Sequence, residues 1–347
     1  MKSRFSAKNN NIDSKPIKTA VLLTNLGSPD KPTTSALRCY LREFLSDPRV
    51  VEIPRLLWMI ILHGIVLRVR PKKSAKLYQS VWTNKGAPLL VTSQMQKEKV
   101  AAKLAQQQYG NNVIVDVAMR YGQPSISHVL KKFQQQGIDN LVVLPLYPQY
   151  AGPTTASTFD AVSKELQTWR YVPSLHFINS YHNNTHYIKA LANTITEHIN
   201  EHGKPDKLVL SYHGMPELFR QWGDPYYDFC QLTTELLKAE LSARSFILPI
   251  DDFVMTFQSR FGKAKWLQPY TDETLANLAK QGNKHIAIIS PAFSADCLET
   301  LEELEHENRA IFIEAGGEQY HYIAALNDRD DHIDALVSVI KPIVSTL

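Results

Sequence analysis

One histidine and a row of glutamates are the side chains whose type and spacing best suit chemistry. His213 closes an apolar run in VLSYHGMPE (residues 209–217) and is followed at once by glycine. An unperturbed imidazole titrates near ~6.5, so such a side chain can accept a proton or bind a transition metal at neutral pH. Satisfied structural histidines are common, but a strand end aims this one into a cleft. Glu299, Glu303 and Glu307 recur at every fourth position of DCLETLEELEHE (residues 296–307). A helix there puts all three on one face, with Glu302 and His306 at its margin. Like charges at that spacing repel by about 0.2–0.5 kcal/mol per pair. A solvated acidic face fits this pattern, and so does a cation or proton path leading inward from solvent. Glu299 falls near the helix start, where the macrodipole favours a carboxylate.

These side chains sit on a pattern that occurs twice. LLTNLGSPD (residues 22–30) matches VLSYHGMPE, with Leu26 in the place of His213. VDVAMRYG (115–122) matches VMTFQSRFG (254–262), and NLVVLPLYPQYAGPTTASTFDAVSKEL (140–166) matches HIAIISPAFSADCLETLEELEHE (285–307). Three paired segments in one order predict a duplicated α/β domain. Continuous apolar strands are expected at 19–26, 112–119, 140–146, 174–179, 207–212, 253–259, 285–291 and 319–323, as in parallel sheets buried on both faces. Helical stretches at 92–109, 125–136, 187–201 and 224–241 alternate with them. Ligands of such open sheets bind beyond the carboxyl ends of the strands. The expected domains are 1–180 and 181–347, with a last helix at 331–346 packing back on the first.

Composition fits that division: 347 residues with 44% hydrophobic content suffice for two cores. Cys39, Cys230 and Cys297 have no metal or disulfide spacing, which points to a reducing compartment. A net charge of +4 does not call for nucleic acid. The basic, Asn-rich N-terminus lacks the apolar core of a signal peptide, so the expectation is cytoplasmic. Residues 53–97 contain no acid, while Arg55, Arg68, Arg70, Lys72, Lys73, Lys76, Lys85 and Lys97 are basic. Inside lies the apolar run LLWMIILHGIVL (56–67), too short for the about 20 residues of a membrane span. It reads either as a buried helix or as a hydrophobic, cationic lip, about 53–90, inserted into the repeat. A lip of that kind suits an interfacial membrane contact or a flat apolar ligand carrying carboxylates.

NLGSPD, MRYGQP, LPLYPQYAGPTTAST, LSYHGMPE, WGDPY, TFQSRFGKAKWLQPYTDETL and SPAFSADCLETLEEL resemble ferrochelatase, closest to the Gram-negative bacterial form, and the resemblance runs over residues 19–325. The resemblance implies two Rossmann-like domains and insertion of ferrous iron into protoporphyrin IX, the last step of heme synthesis. It implies that His213 and Glu299 are catalytic or hold the iron, and that Glu303 and Glu307 continue a proton or metal path. It places the porphyrin against Leu26, Arg70, Tyr78, Arg120, Tyr121, Trp266 and Phe293. Many relatives carry His where this chain has Cys297, and no cysteine-bearing extension for an iron–sulfur cluster is seen. The expected partners are protoporphyrin IX and ferrous iron, with no further cofactor, and the lip is the expected peripheral contact with the inner membrane. The alternatives are a coproporphyrin or cobalt chelatase and a tetrapyrrole or metal carrier without turnover.

Overall fold

The computed structural model describes residues 5–6, 17–109, 113–244, 252–260, 262 and 264–346. The basic N-terminal segment, the expected strand start at Asn112 and Phe261 of the second Arg-aromatic-Gly turn lie outside them. The chain divides into two compact units, Met1–Ser180 with Leu336–Leu347, and Tyr181–Ala335.

In the first unit β1 (Thr19–Asn25), β2 (Val113–Met119), β3 (Asn140–Pro145) and β4 (Ser174–Phe177) form a parallel sheet in the order β2-β1-β3-β4. Around it run α1 (Thr34–Leu45), α2 (Arg55–Ile61), α3 (Leu67–Val81), α4 (Pro88–Leu104), α5 (Ile126–Gln136) and α6 (Ser157–Leu166). In the second unit β5 (Lys207–His213), β6 (Phe253–Gln258), β7 (His285–Ile289) and β8 (Gln319–Ile323) repeat the plan as β6-β5-β7-β8, again all parallel. Its helices are α7 (Thr185–His202), α8 (Glu217–Gln221), α9 (Tyr226–Ala243), α10 (Thr271–Lys280) and α11 (Asn308–Glu314). The last helix, α12 (Asp330–Val344), starts in the second unit, and its residues from Leu336 group with the first.

The central strands are apolar on both faces because helices cover both. Every residue of β1 and β3 is buried, and α5 and α6 bring Val129, Leu130, Phe133, Val162 and Leu166 onto one face of the first sheet. In the second unit Leu275, Leu278, Leu304 and Phe312 pack on Val209, Ile286, Ile288 and Tyr320. Side-chain caps start three of these helices: Thr33 accepts from the Ala36 amide, Ser125 from that of His128, and Asn184 from those of His186 and Tyr187.

In both duplicated motifs the glycine lies against the end of the neighbouring strand. The Tyr121 amide donates to the Leu26 carbonyl, and the Gly214 amide to that of Gln258. A Cβ on Gly27 would lie 1.8 Å from the Tyr121 carbonyl oxygen, and one on Gly214 would lie 2.5 Å from that of Gln258. Only glycine lets these neighbouring strand ends approach so closely.

The segment 56–67 is not a buried helix. It forms α2, a π-helical turn at Leu62–Val66 and the start of α3. Trp58, Leu62 and Leu67 anchor one side, and the Trp58 indole donates to the Leu45 carbonyl at 2.6 Å. The other side exposes Leu56 (84%), Ile60 (71%), Ile65 (62%) and Val69 (70%). The arrangement is a lip with an apolar crest, bordered by exposed Arg55, Arg68, Lys72, Lys73 and Lys76. Among the described residues no helix is long and apolar enough to cross a membrane.

Candidate active site

In the second unit the chemistry-bearing side chains gather at the carboxyl end of the sheet. His213 is the last residue of β5 and pairs in register with Gln258, the last of β6. Its Nδ1 lies 2.7 Å from the Gly214 carbonyl oxygen. A carbonyl only accepts, so Nδ1 carries a proton and Nε2 is the nitrogen left for chemistry. The Phe293 ring, from the turn after β7, stands 6.3 Å from the imidazole, centroid to centroid. The half-buried Trp266 borders the turn after β5, since its ring lies 3.3 Å from where a Cβ on Gly214 would be.

Gln258 joins this strand end to the glutamate row. Its Nε2 donates to the Glu299 carbonyl at 2.9 Å and reaches Glu303 Oε2 at 3.4 Å. The Ser211 hydroxyl holds the far end of its amide at 2.8 Å. Residues Glu299–Glu307 form a π-helix, a form often found at functional sites. The expected stripe survives the change of helix, because four residues span nearly one turn in either form. Glu299 and Glu303 are half-buried and Glu307 is exposed, so the row runs from the interior to solvent.

Asp296 fixes the start of this segment. Its carboxylate accepts from Thr300 at 2.9 Å, from the Tyr322 phenol at 2.6 Å and from the Asn327 amide at 2.7 Å. Glu303 is gripped by Ser259, which sits at φ 64° and directs both its amide (2.7 Å to Oε1) and its hydroxyl at the carboxylate. That left-handed backbone costs a serine of the order of 1 kcal/mol, and charge-assisted hydrogen bonds offset the cost. Burial raises Glu303 above the ordinary carboxylate range, with Glu299 adding to the effect, while the Ser259 bonds and the nearby His213 oppose it. Burial also pushes the Cys297 thiol well up, aided by the Glu299 carboxylate.

The corresponding strand ends of the first unit carry a different set. Leu26 is half-buried and keeps its expected place after β1. Arg120 follows β2 and is clamped from behind: its Nε donates to the Ser157 hydroxyl at 2.6 Å, and its guanidinium pairs with Asp47. Tyr121 is buried beside it, and its phenol donates to Asp47 Oδ2 at 2.8 Å, so it braces the carboxylate that holds Arg120. Tyr78 is likewise buried, at the foot of the lip with its ring 6.2 Å from that of Trp82, whereas Arg70 is half-buried on α3.

Burial alone would raise the Asp47 carboxyl. Hydrogen bonds from Ser157, the Arg49 amide and Tyr121, together with the Arg120 charge, more than offset this and hold it below 3.8. A depressed folded-state value means that Asp47 stabilises the fold above the unfolded value of about 3.9, and that the contribution is lost as pH falls through the folded value. Asp47→Asn should cost about 2–3 kcal/mol, since it strips the partner from a largely buried guanidinium. Thermal unfolding of the two proteins at neutral pH checks this, and the gap should narrow below about pH 4.

Asp47, Gln258, Ser259 and Asp296 carry no sequence signal of their roles. Each acts through a partner remote in the chain, and only the strand-end position of Gln258 and Ser259 could have drawn attention to them.

A family model described as Ferrochelatase matches residues 18–343. Ferrochelatase 2 of Shewanella oneidensis is 61% identical over 325 residues, covering 94% of this chain and 97% of the relative. The ferrochelatase of Shewanella denitrificans is 59% identical over 329 residues, with the same coverage. Among solved structures, SirB from Bacillus subtilis with Fe3+ aligns with a TM-score of 0.55 at 12% identity, over 95% of this chain and 97% of that one. At that identity the likeness speaks for the fold alone.

Proposed function

We propose, for a chain that belongs to the ferrochelatase family, that His213 is the group that takes protons from the porphyrin as iron enters. The chain inserts iron into a porphyrin for heme synthesis. As the ferrous ion enters, two pyrrole N–H bonds break, all four ring nitrogens bind iron, and two protons leave with no change of oxidation state. A planar macrocycle holds its nitrogen lone pairs in the ring plane, so a site that bends the ring exposes them to one face and spends binding energy on approaching the transition state.

The observation that carries this reading is the contact of His213 Nδ1 with the Gly214 carbonyl. With Nδ1–H committed to the Gly214 carbonyl, Nε2 is the free base, and the carboxylate row provides the exit. Glu303, raised by burial, takes up a proton more readily than a solvated glutamate and passes it toward exposed Glu307. Glu299, at the inner end of the row, either relays protons or holds the incoming iron, and carboxylate and imidazole are both competent ferrous ligands. Phe293 and Trp266 supply apolar surface for the macrocycle beside His213. In the first unit Leu26 and Arg120 are the proposed porphyrin contacts, and Arg70 is proposed to meet a propionate.

Protoporphyrin IX is the proposed substrate, because the apolar crest of the lip suits the less carboxylated of the candidate porphyrins and a membrane surface from which to collect it. Porphyrin absorbance followed anaerobically with ferrous iron tests this. Multiple turnovers, faster with protoporphyrin than with coproporphyrin, are expected; a single stoichiometric spectral shift would mark a carrier. Replacing Leu56, Ile60 and Val69 together by serine should leave the unfolding midpoint within a few degrees of wild type, because all three are exposed. The same variant should weaken porphyrin uptake from vesicles about tenfold or more, as expected for losing roughly 2 kcal/mol or more of apolar contact.

A further inference from the structure

The second unit holds another cluster of metal-ligating side chains, remote from His213. His198 and His202 are four residues apart in the last turn of α7 and share one face. His321 projects from the edge strand β8, and its ligand atom and those of the two helical histidines all lie within 4.8 Å of one another. Ring centroids are separated by 4.4 Å (His198–His202), 5.3 Å (His198–His321) and 4.8 Å (His202–His321). His285 comes in from β7, 5.1 Å from His321. Ala287 pairs with His321, so His285, two residues earlier, lies on the same sheet face.

We propose that His198, His202 and His321, with His285 beside them, form a second binding site for a divalent transition-metal cation. Three imidazoles packed this closely gain nothing from one another as hydrogen-bond donors, and the Nε2 atoms of His198 and His285 have no hydrogen-bond partner. The His285 ring meanwhile bonds the Lys204 backbone, the kind of outer contact that orients a metal-binding histidine. Burial, with the neighbouring imidazoles, brings His198 down to about 4, leaving its lone pair available at neutral pH. The negative end of the α7 dipole also falls here and favours a cation. A tetrahedral ion at about 2.0–2.1 Å from each nitrogen needs nitrogens roughly 3.3 Å apart, so side-chain rotation of about 1.5 Å closes the set. Imidazole-only donors select zinc-, nickel- or cobalt-like ions over magnesium or calcium.

The cluster is separate from the site at the strand ends. His321 is level with Leu208 through Ala287, and His213 lies five residues beyond Leu208, about 16 Å along the strands. Because its donors come from α7 and β8, a bound ion clips the edge strand to the helix that covers it.

Equilibrium dialysis of the full chain against Zn2+ tests the proposal. His202→Gln and His321→Gln should each bind one equivalent fewer than wild type, and His213→Ala should retain that equivalent. His202 is exposed at the helix end, so its variant keeps the fold even if the His321 variant does not. In a His213→Ala background, Zn2+ should raise the midpoint of thermal unfolding, and adding His202→Gln should abolish the rise. Unchanged stoichiometry in His202→Gln, or an undiminished rise in the double variant, would overturn the assignment.

Discussion

His213→Ala is expected to lower iron insertion about 100- to 10,000-fold, the range by which positioned acid–base groups contribute, while the dissociation constant for protoporphyrin stays within a few-fold of wild type. The imidazole is anchored through its own backbone by the Gly214 carbonyl and packs beside Phe293 without holding it, so its removal leaves the turn intact. Its free nitrogen is the group proposed to accept the pyrrole protons, and a methyl group cannot replace it. Stopped-flow absorbance under anaerobic conditions measures insertion, and fluorescence quenching measures binding. Parallel loss of binding and turnover would shift the role of His213 to holding the macrocycle.

Glu299→Gln is expected to reduce insertion about 10- to 100-fold with little change in porphyrin KM. The substitution keeps the volume of a half-buried side chain and removes only its charge. The backbone carbonyl of Glu299, held by Gln258, and the Asp296 anchor below it are unaffected, so the π-helical segment should keep its shape. If Glu299 and His213 work on the same protons or the same ion, the double variant should be far less than multiplicatively impaired. A multiplicative loss would mean that the two act independently.

The architecture was largely readable because its strands are covered on both faces, and burial of that kind leaves uninterrupted Val, Ile and Leu runs. The eighth strand, 319–323, came out with its observed bounds, and the repeated turns exposed the duplication through glycines that steric contact demands. The π-helix at Glu299–Glu307 was not readable, since its stripe of glutamates fits an α-helix equally well. The exposure of the lip was also open: an apolar run of twelve residues has the same letters buried or bare, and only the anchoring of Trp58, Leu62 and Leu67 turns the remainder outward. Within the site, His213 and the glutamates announce themselves by type and spacing. The residues that set their geometry do not, because a serine at φ 64° or an aspartate accepting from Thr300, Tyr322 and Asn327 acquires its role only from the tertiary fold. The phenol of Tyr121 likewise takes its Asp47 partner only from the tertiary fold. The imidazole cluster is not legible in the sequence, because its members are spread over more than a hundred residues.

A crystal structure of the chain with free-base protoporphyrin IX bound tests the account most directly, through the distance from His213 Nε2 to the nearest pyrrole nitrogen. The account predicts about 3–3.5 Å, the separation of reacting atoms in a productive complex, or one intervening water. A macrocycle bound with that imidazole facing away from the ring nitrogens would contradict it.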